Sequence, residues 1–274
     1  MDTPQELLAI ARVLAVETAA LIRDGRSGAR VERSKSSDID IVTQMDLAAE
    51  SHLRSRLSQL RPHDAILGEE GEDTPGTSGV TWVLDPIDGT VNYLYGLPHY
   101  AVSVAAVTGD PTPRSWTVQA GAVADGSGTL WSACRGGGAW RGDEPLRRLD
   151  SPRLSSTLLA TGFQYVAERR RRQGQIVAAM LEQVRDIRRL GAAAVDLCLV
   201  AAGELDAYYE HGLHPWDFAA GALIAQEAGL RVAGIDGGPA DERLTIAAPP
   251  DLWPPLRDAL VDAGARDTWD APDA

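Results

Sequence analysis

Cysteine is scarce in this sequence. The two present, Cys134 and Cys198, lie far apart among apolar or small neighbours and form no CxxC pair, so neither a disulfide framework nor a thiolate zinc site organises the chain. Buried free thiols in a reducing cytoplasm are expected. Positive charge is also in deficit. Lys and Arg number 26 against 39 Asp and Glu, a net charge of −13, which argues against a nucleic-acid partner because binding to a phosphate backbone needs a basic surface. One dense basic run, residues 169–172, precedes an apolar helical pattern and reads as a solvated helix end. No apolar run is long enough to span a bilayer, and the first residues lack the basic, apolar, small-residue order of a secretory signal. A cytoplasmic protein without a membrane partner is expected. Internal repeats and low-complexity segments are absent too.

What is present suits a globular chain with ample material for a buried core, 44% apolar residues in 274. Thr3-Pro4-Gln5-Glu6 is a capped helix start, and apolar positions at helical spacing carry that helix to about Arg23. Thr43 reads as the cap of a second helix with Asp46 in its first turn. Strands are expected over residues 65–68 and 81–84, the first ending on Glu69-Glu70. Residues 100–107, 115–124 and 129–133 read as an antiparallel meander. Gly136-Gly137-Gly138 suggests close packing or a bulge, since it lacks the strand-loop-helix context of a nucleotide loop. The polar segment 143–152 is the candidate boundary between an N-terminal α+β part, 1–145, and a C-terminal α/β part, 146–274. Beyond it strands (158–161, 186–190, 206–209, 230–233, 244–247) alternate with helices (173–184, 193–202, 218–228, 251–261).

The chemistry concentrates in Trp82-Val83-Leu84-Asp85-Pro86-Ile87-Asp88-Gly89-Thr90. Pro86 restricts Asp85 and fixes its own φ, so Asp85 and Asp88 are held apart on a stiff turn. Gly89 brings its N–H close to a ligand, and a helical turn starting at Thr90 makes an anion site. An anion site beside two carboxylates is a contradiction unless cations lie between them. Oxygen ligands next to a phosphate-sized site are what Mg²⁺ prefers. In Tyr208-Tyr209-Glu210-His211-Gly212-Leu213-His214-Pro215-Trp216-Asp217 a second group of special residues gathers. Locally Asp217 reads as a helix N-cap, Glu210 as an exposed strand end and Asp46 as a partner of its helix dipole. The two histidines are too loosely spaced for zinc.

Taken together, Gly68-Glu69-Glu70, Asp85-Pro86-Ile87-Asp88-Gly89-Thr90 with Asn92, and Trp216-Asp217 resemble the hallmarks of the inositol monophosphatase family of Mg²⁺-dependent, lithium-sensitive phosphatases. Lys35-Ser36-Ser37, Asp46, the start of the helix from Gly191 to Cys198 and Gly237-Gly238-Pro239 extend the resemblance over nearly the whole chain. It implies a layered αβαβα sandwich of the inositol monophosphatase and fructose-1,6-bisphosphatase type, and a homodimer. It implies one metal ion on Glu69, Asp85 and the Ile87 carbonyl, a second on Asp85, Asp88 and Asp217, and a third, weaker one near Glu69. By the same resemblance phosphate meets the N–H groups of Gly89 and Thr90 between Asp88 and Asp217, and the alcohol meets the Ala193 backbone and Glu210. Glu69, Thr90 and Asp46 are then the catalytic set around an attacking water, and no covalent phospho-enzyme is needed. The implied substrate is myo-inositol 1-phosphate. Histidinol phosphate, fructose 1,6-bisphosphate and 3′-phosphonucleotides are alternatives, and a metal-binding regulatory relative without catalysis is a reading of another class. Ala192, where relatives often carry Ser or Thr, and Pro215 depart from the pattern.

Overall fold

In the computed structural model residues 2–35 and 40–266 are described, so Ser36 and Ser37 of the resemblance lie outside the described residues. The chain begins with α1 (Pro4–Gly25), whose capping box is the expected one: Thr3 accepts from the Glu6 N–H, and Glu6 accepts from the Thr3 N–H. A short hairpin, β1 (Val31–Ser34) with β2 (Ile41–Thr43), leads into α2 (Gln44–Leu60). Then come β3 (Ala65–Gly68), β4 (Val80–Asp88), the brief α3 (Thr90–Tyr95), β5 (Ala101–Thr108), β6 (Thr117–Asp125), β7 (Leu130–Cys134), β8 (Gly138–Arg141) and β9 (Glu144–Leu146). Strands β3 to β9 form one seven-stranded sheet in sequence order, antiparallel except for the parallel β3–β4 pair.

The second half is built from β10 (Leu158–Thr161), α4 (Ala167–Met180), β11 (Asp186–Arg188), α5 (Ala193–Ala202), β12 (Ala207–Glu210), α6 (Pro215–Glu227), β13 (Arg231–Ala233), β14 (Thr245–Ala248) and α7 (Trp253–Asp262). Its five-stranded sheet has the order β11-β10-β12-β14-β13, parallel on one side of β12 and antiparallel on the other.

Period-two alternation along the strands decides the layering. Trp82 and Leu84 of β4 face a core shared with α1 and α2, through Leu7, Leu14, Leu53 and Leu57. Val83, between them, faces the opposite way, into a core that α5 and α6 share with both sheets. On the far sheet Tyr208 joins that central core, while Tyr209 packs with Ile176, Leu256 and Leu260 of α4 and α7. The order of layers is therefore helix, sheet, helix, sheet, helix, the sandwich that the sequence led us to expect. Among the described residues no helix is long and apolar enough to cross a membrane.

Four local expectations are corrected. Strand β4 runs on through Asp88 rather than ending before a turn, and its pairing with β5 jumps from Asp85↔Ser103 to Asp88↔Ala101. That extra residue is a β-bulge, placed where Pro86 has no N–H to give. The glycine-rich segment makes the turn between β7 and β8 and then β8 itself, and the start of the polar one after it forms β9. The N–H groups of Gly136, in that turn, and of Gly138, at the start of β8, bind the Glu227 carboxylate at 2.9 and 3.0 Å. Helix α4 begins six residues earlier than its apolar pattern, so the arginine run lies inside it, with Arg171 and Arg172 paired to Glu168. Asp217 is the third residue of α6, not its cap; His214 is the cap and Pro215 opens the helix. His211 is buried and holds the Ala265 carbonyl oxygen at 2.8 Å, a structural role.

Helix α6 reaches the central core by close approach to β6, and Gly121 permits it: a Cβ there would lie 2.8 Å from the Ala220 Cα. Gly121→Val is expected to lower stability by about 1–3 kcal/mol through forced overpacking. The check is the urea midpoint, and an unchanged midpoint would show that α6 can shift freely.

Candidate active site

The bulge in β4 is what aims the first two carboxylates. Asp85 is buried and its Oδ1 accepts from the Ile87 N–H at 3.0 Å, closing a small turn over Pro86. Asp88 is buried as well, and its Oδ2 accepts from the Ala194 N–H at 2.7 Å in the first turn of α5. Gly89 then adopts φ 84°, a left-handed conformation that caps α3 and costs little only for glycine. Next in the chain, Thr90 places its Oγ1 3.0 Å from Asp46 Oδ1 and 3.0 Å from the Ile87 carbonyl oxygen.

Asp46 lies behind Thr90, fully buried at the start of α2, where its Oδ2 also accepts from the Thr43 N–H at 2.8 Å. Its capping duty and its bond to Thr90 use different oxygens. Glu69 follows β3 directly and its N–H reaches the Leu84 carbonyl, which sets it beside Asp85. From the other half, α6 brings Asp217, whose Oδ2 accepts from the His214 N–H at 2.6 Å. Glu210 ends β12, with its Oε2 held by the Tyr208 hydroxyl at 2.6 Å.

These groups line one cavity of about 100 Å³: Glu69, Asp85, Ile87, Asp88, Gly89, Thr90, Ala193, Glu210 and Asp217 all contribute. Of the candidate residues only Asp46 stands outside the wall, touching it through Thr90. Several neighbours hold these groups in place. Lys35 Nζ bridges Glu69 at 2.7 Å and Glu70 at 2.6 Å. Buried Glu50 takes the N–H groups of Glu70 and Gly71 and so fixes the chain after β3. Asn92 donates to the carbonyls of His99 and Leu190, tying α3 to the segment before α5. Gly162 has no room for a Cβ, which would collide with the Glu210 carboxylate. Arg189 joins Phe163 and Tyr165 at the cavity wall.

Concentrating acid groups out of water raises their proton affinity. Burial pushes Glu69 up to about 7, against the pull of Lys35, and burial pushes Asp88 up to about 8, against its bond from Ala194. Asp85 and Asp217 are raised well above the usual range, by burial first and then by the charges around them. Glu210 is pushed up to about 7 by burial, with Tyr208 and Arg189 opposing.

The inositol monophosphatase family profile matches residues 3–265. The chain belongs to that family. Among its relatives, inositol-1-monophosphatase SuhB of Mycobacterium tuberculosis (strain ATCC 25618 / H37Rv) is 50% identical over 251 residues, 84% of each chain. The Nus factor SuhB of Escherichia coli (strain K12) is 39% identical over 219 residues, 76% of this chain and 77% of that one. The solved structure of Mycobacterium tuberculosis SuhB superposes with a TM-score of 0.82 at 45% identity, covering 97% of this chain and 100% of its own. Inositol monophosphatase family members are generally metal-dependent.

The raised carboxylates make stability depend on pH in a definite direction. Asp88, Glu69 and Glu210 hold protons in the folded state up to about 7 or 8, whereas in the unfolded chain they lose them near 4. Between those limits these three groups bind more protons in the folded state, so the stability they contribute to the metal-free protein is lost as pH rises from about 4 to about 8. Mg²⁺ should therefore raise the melting temperature more at pH 8 than at pH 5. Equal shifts at the two pH values, measured against EDTA, would contradict this account.

Proposed function

We propose that this chain is a Mg²⁺-dependent phosphomonoesterase that hydrolyses myo-inositol 1-phosphate to inositol and phosphate. The observation that carries the reading is the meeting of Glu69, Asp85, Asp88 and Asp217 in one small cavity with the Thr90–Asp46 pair at its wall. The donor set suits Mg²⁺. It is all oxygen, it is withdrawn from water, and without a cation its charges oppose one another. Among the described residues no three His, Cys, Asp or Glu side chains already close on one point, and Glu69 rests on Lys35 instead. Glu69, Asp85 and the Ile87 carbonyl would hold one ion, and Asp85, Asp88 and Asp217 another, with a third near Glu69.

When bound, such ions neutralise the charge of the phosphate and make a bound water acidic. The chain's own residues supply orientation. Asp46, anchored by Thr43, takes the Thr90 hydroxyl proton in a hydrogen bond, which turns the Thr90 lone pairs toward a water on the Glu69 side. The N–H groups of Gly89 and Thr90, at the open end of α3, point donors at phosphate oxygens. Glu210, steadied by Tyr208, offers acceptors to the hydroxyls of the alcohol, and the Ala193 backbone borders the same space. Metal ligands come from segment 1–145 and from segment 146–274, with the reaction between the two parts. The buried free thiols of Cys134 and Cys198 support a cytoplasmic setting, and a homodimer follows from the family resemblance. The Escherichia coli relative named as a Nus factor favours one second reading, a family member acting without catalysis.

Phosphate release from inositol 1-phosphate, histidinol phosphate, fructose 1,6-bisphosphate and 3′-phosphoadenosine 5′-phosphate, with and without Mg²⁺, separates these readings. Inositol 1-phosphate is expected to be the best of the four, and silence from all of them would leave the non-catalytic reading. Asp88→Asn and Asp217→Asn should stay folded while Mg²⁺-dependent release drops at least about a hundredfold. Near-normal turnover in both variants would remove the two-ion assignment.

A further inference from the structure

The phosphate-sized cavity opens onto a larger space that no step above employs. A groove of about 450 Å³ adjoins it, and Gly89, Phe163, Tyr165, Arg189 and Gly191 line both. The rest of its wall is largely apolar, from Val31, Ile41, Val91, Leu94 and Tyr95. Tyr95 is 77% exposed and Val31 49%, so the groove is an open, greasy shelf beside a polar hole.

Charge sets the groove apart from its neighbour. The smaller cavity is walled by five acidic side chains, Glu69, Asp85, Asp88, Glu210 and Asp217. Among the described residues the groove has no carboxylate in its wall and carries Arg170 and Arg189. Arg189 marks the junction. Its guanidinium folds over Gly191, where a Cβ would meet Nη1 at 2.3 Å, and its Cζ lies 5.9 Å from the Phe163 ring centroid. The φ of Gly191, 92°, likewise favours glycine, so the backbone leaves room for this arginine to lie across the seam.

A polyol has little apolar surface to spend on Val91 and Leu94, and a cationic alcohol such as an amine would meet two arginines. An aromatic ring with an anionic substituent matches both features, the ring on the apolar wall and the anion on Arg189. We propose that the groove is a second leaving-group subsite, which admits phosphate monoesters of aromatic alcohols bearing a further negative charge. The proposal rests on the phosphatase reading above. The covalent step is unchanged: a water oxygen bonds to phosphorus, the P–O bond to the aryl oxygen breaks, and its electron pair leaves on a phenolate. Phosphate keeps one proton of the water and the other passes through solvent to the phenolate.

The test uses the full chain with Mg²⁺ and three esters that share a leaving-group type: phenyl phosphate, 4-carboxyphenyl phosphate and 4-(aminomethyl)phenyl phosphate, with inositol 1-phosphate run beside them. The carboxylate ester should exceed the ammonium ester in kcat/KM by about tenfold, the worth of one partly exposed charge-assisted hydrogen bond. Arg189→Gln should abolish that preference and Arg189→Lys should keep most of it. Taking ratios within each variant removes any difference in the folded fraction. If inositol 1-phosphate and phenyl phosphate are hydrolysed but the carboxylate ester has no advantage, or keeps it in Arg189→Gln, the subsite is wrong and the phosphatase stands. Absence of Mg²⁺-dependent release from every ester removes the phosphatase reading and the subsite with it.

Discussion

Mutual repulsion among acidic side chains held out of water is the constraint on which the rest of the structure depends. Five of them border a space of about 100 Å³, and a chain that did nothing about this would open the site or lose it to protonation. Each of the five has one oxygen held by a donor of the chain itself. Ile87 N–H serves Asp85, Ala194 N–H serves Asp88, His214 N–H serves Asp217, the Tyr208 hydroxyl serves Glu210 and the Lys35 ammonium serves Glu69. Each donor fixes a direction, and Glu69 and Asp85 also hydrogen-bond each other. Three of the five donors are backbone groups, which cannot swing away when a ligand binds.

The layering explains how such a group is assembled at all. Strand β4 is buried along its whole length and delivers Asp85 and Asp88 at its end, while the central helices α5 and α6 start at the same level. The first turn of α5 gives its Ala194 N–H to Asp88 and the cap of α6 gives its His214 N–H to Asp217, so the helices that fill the middle layer also steady the acids. The fold alone does not select an activity, since relatives of the same family carry the names inositol-1-monophosphatase and Nus factor. Selection has to come from the side chains around the cavity.

Legibility followed the range of the interactions. Helices α1 and α2 could be read closely because their caps, Thr3 with Glu6 and Thr43 with Asp46, are made within four residues. The end of β4 could not, because Pro86 between two acids looks like a turn until β5 is seen to pair across the bulge. Helix α4 begins in Ala167 and Glu168, where charge pairs rather than an apolar stripe support it. The N-terminus of α6 had a signal that was misjudged: Pro215 fits the first helical position, which makes the preceding His214 the cap. Within the site, residue types alone suggested carboxylates near an anion, but their convergence was visible only through the family resemblance. No local spacing relates β4 to α6, and Glu50 and Arg189 took on meaning only from their partners in space.

The distance along the chain between Asp88 and Asp217 also has a consequence for how the molecule comes into being. The strand that carries one and the helix that carries the other meet only when α6 has settled into the central layer, a contact of high sequence separation formed late and at entropic cost. Under the proposed function, a chain in which α6 has not docked lacks Asp217 at the site, and whatever binds there would draw that docking toward completion.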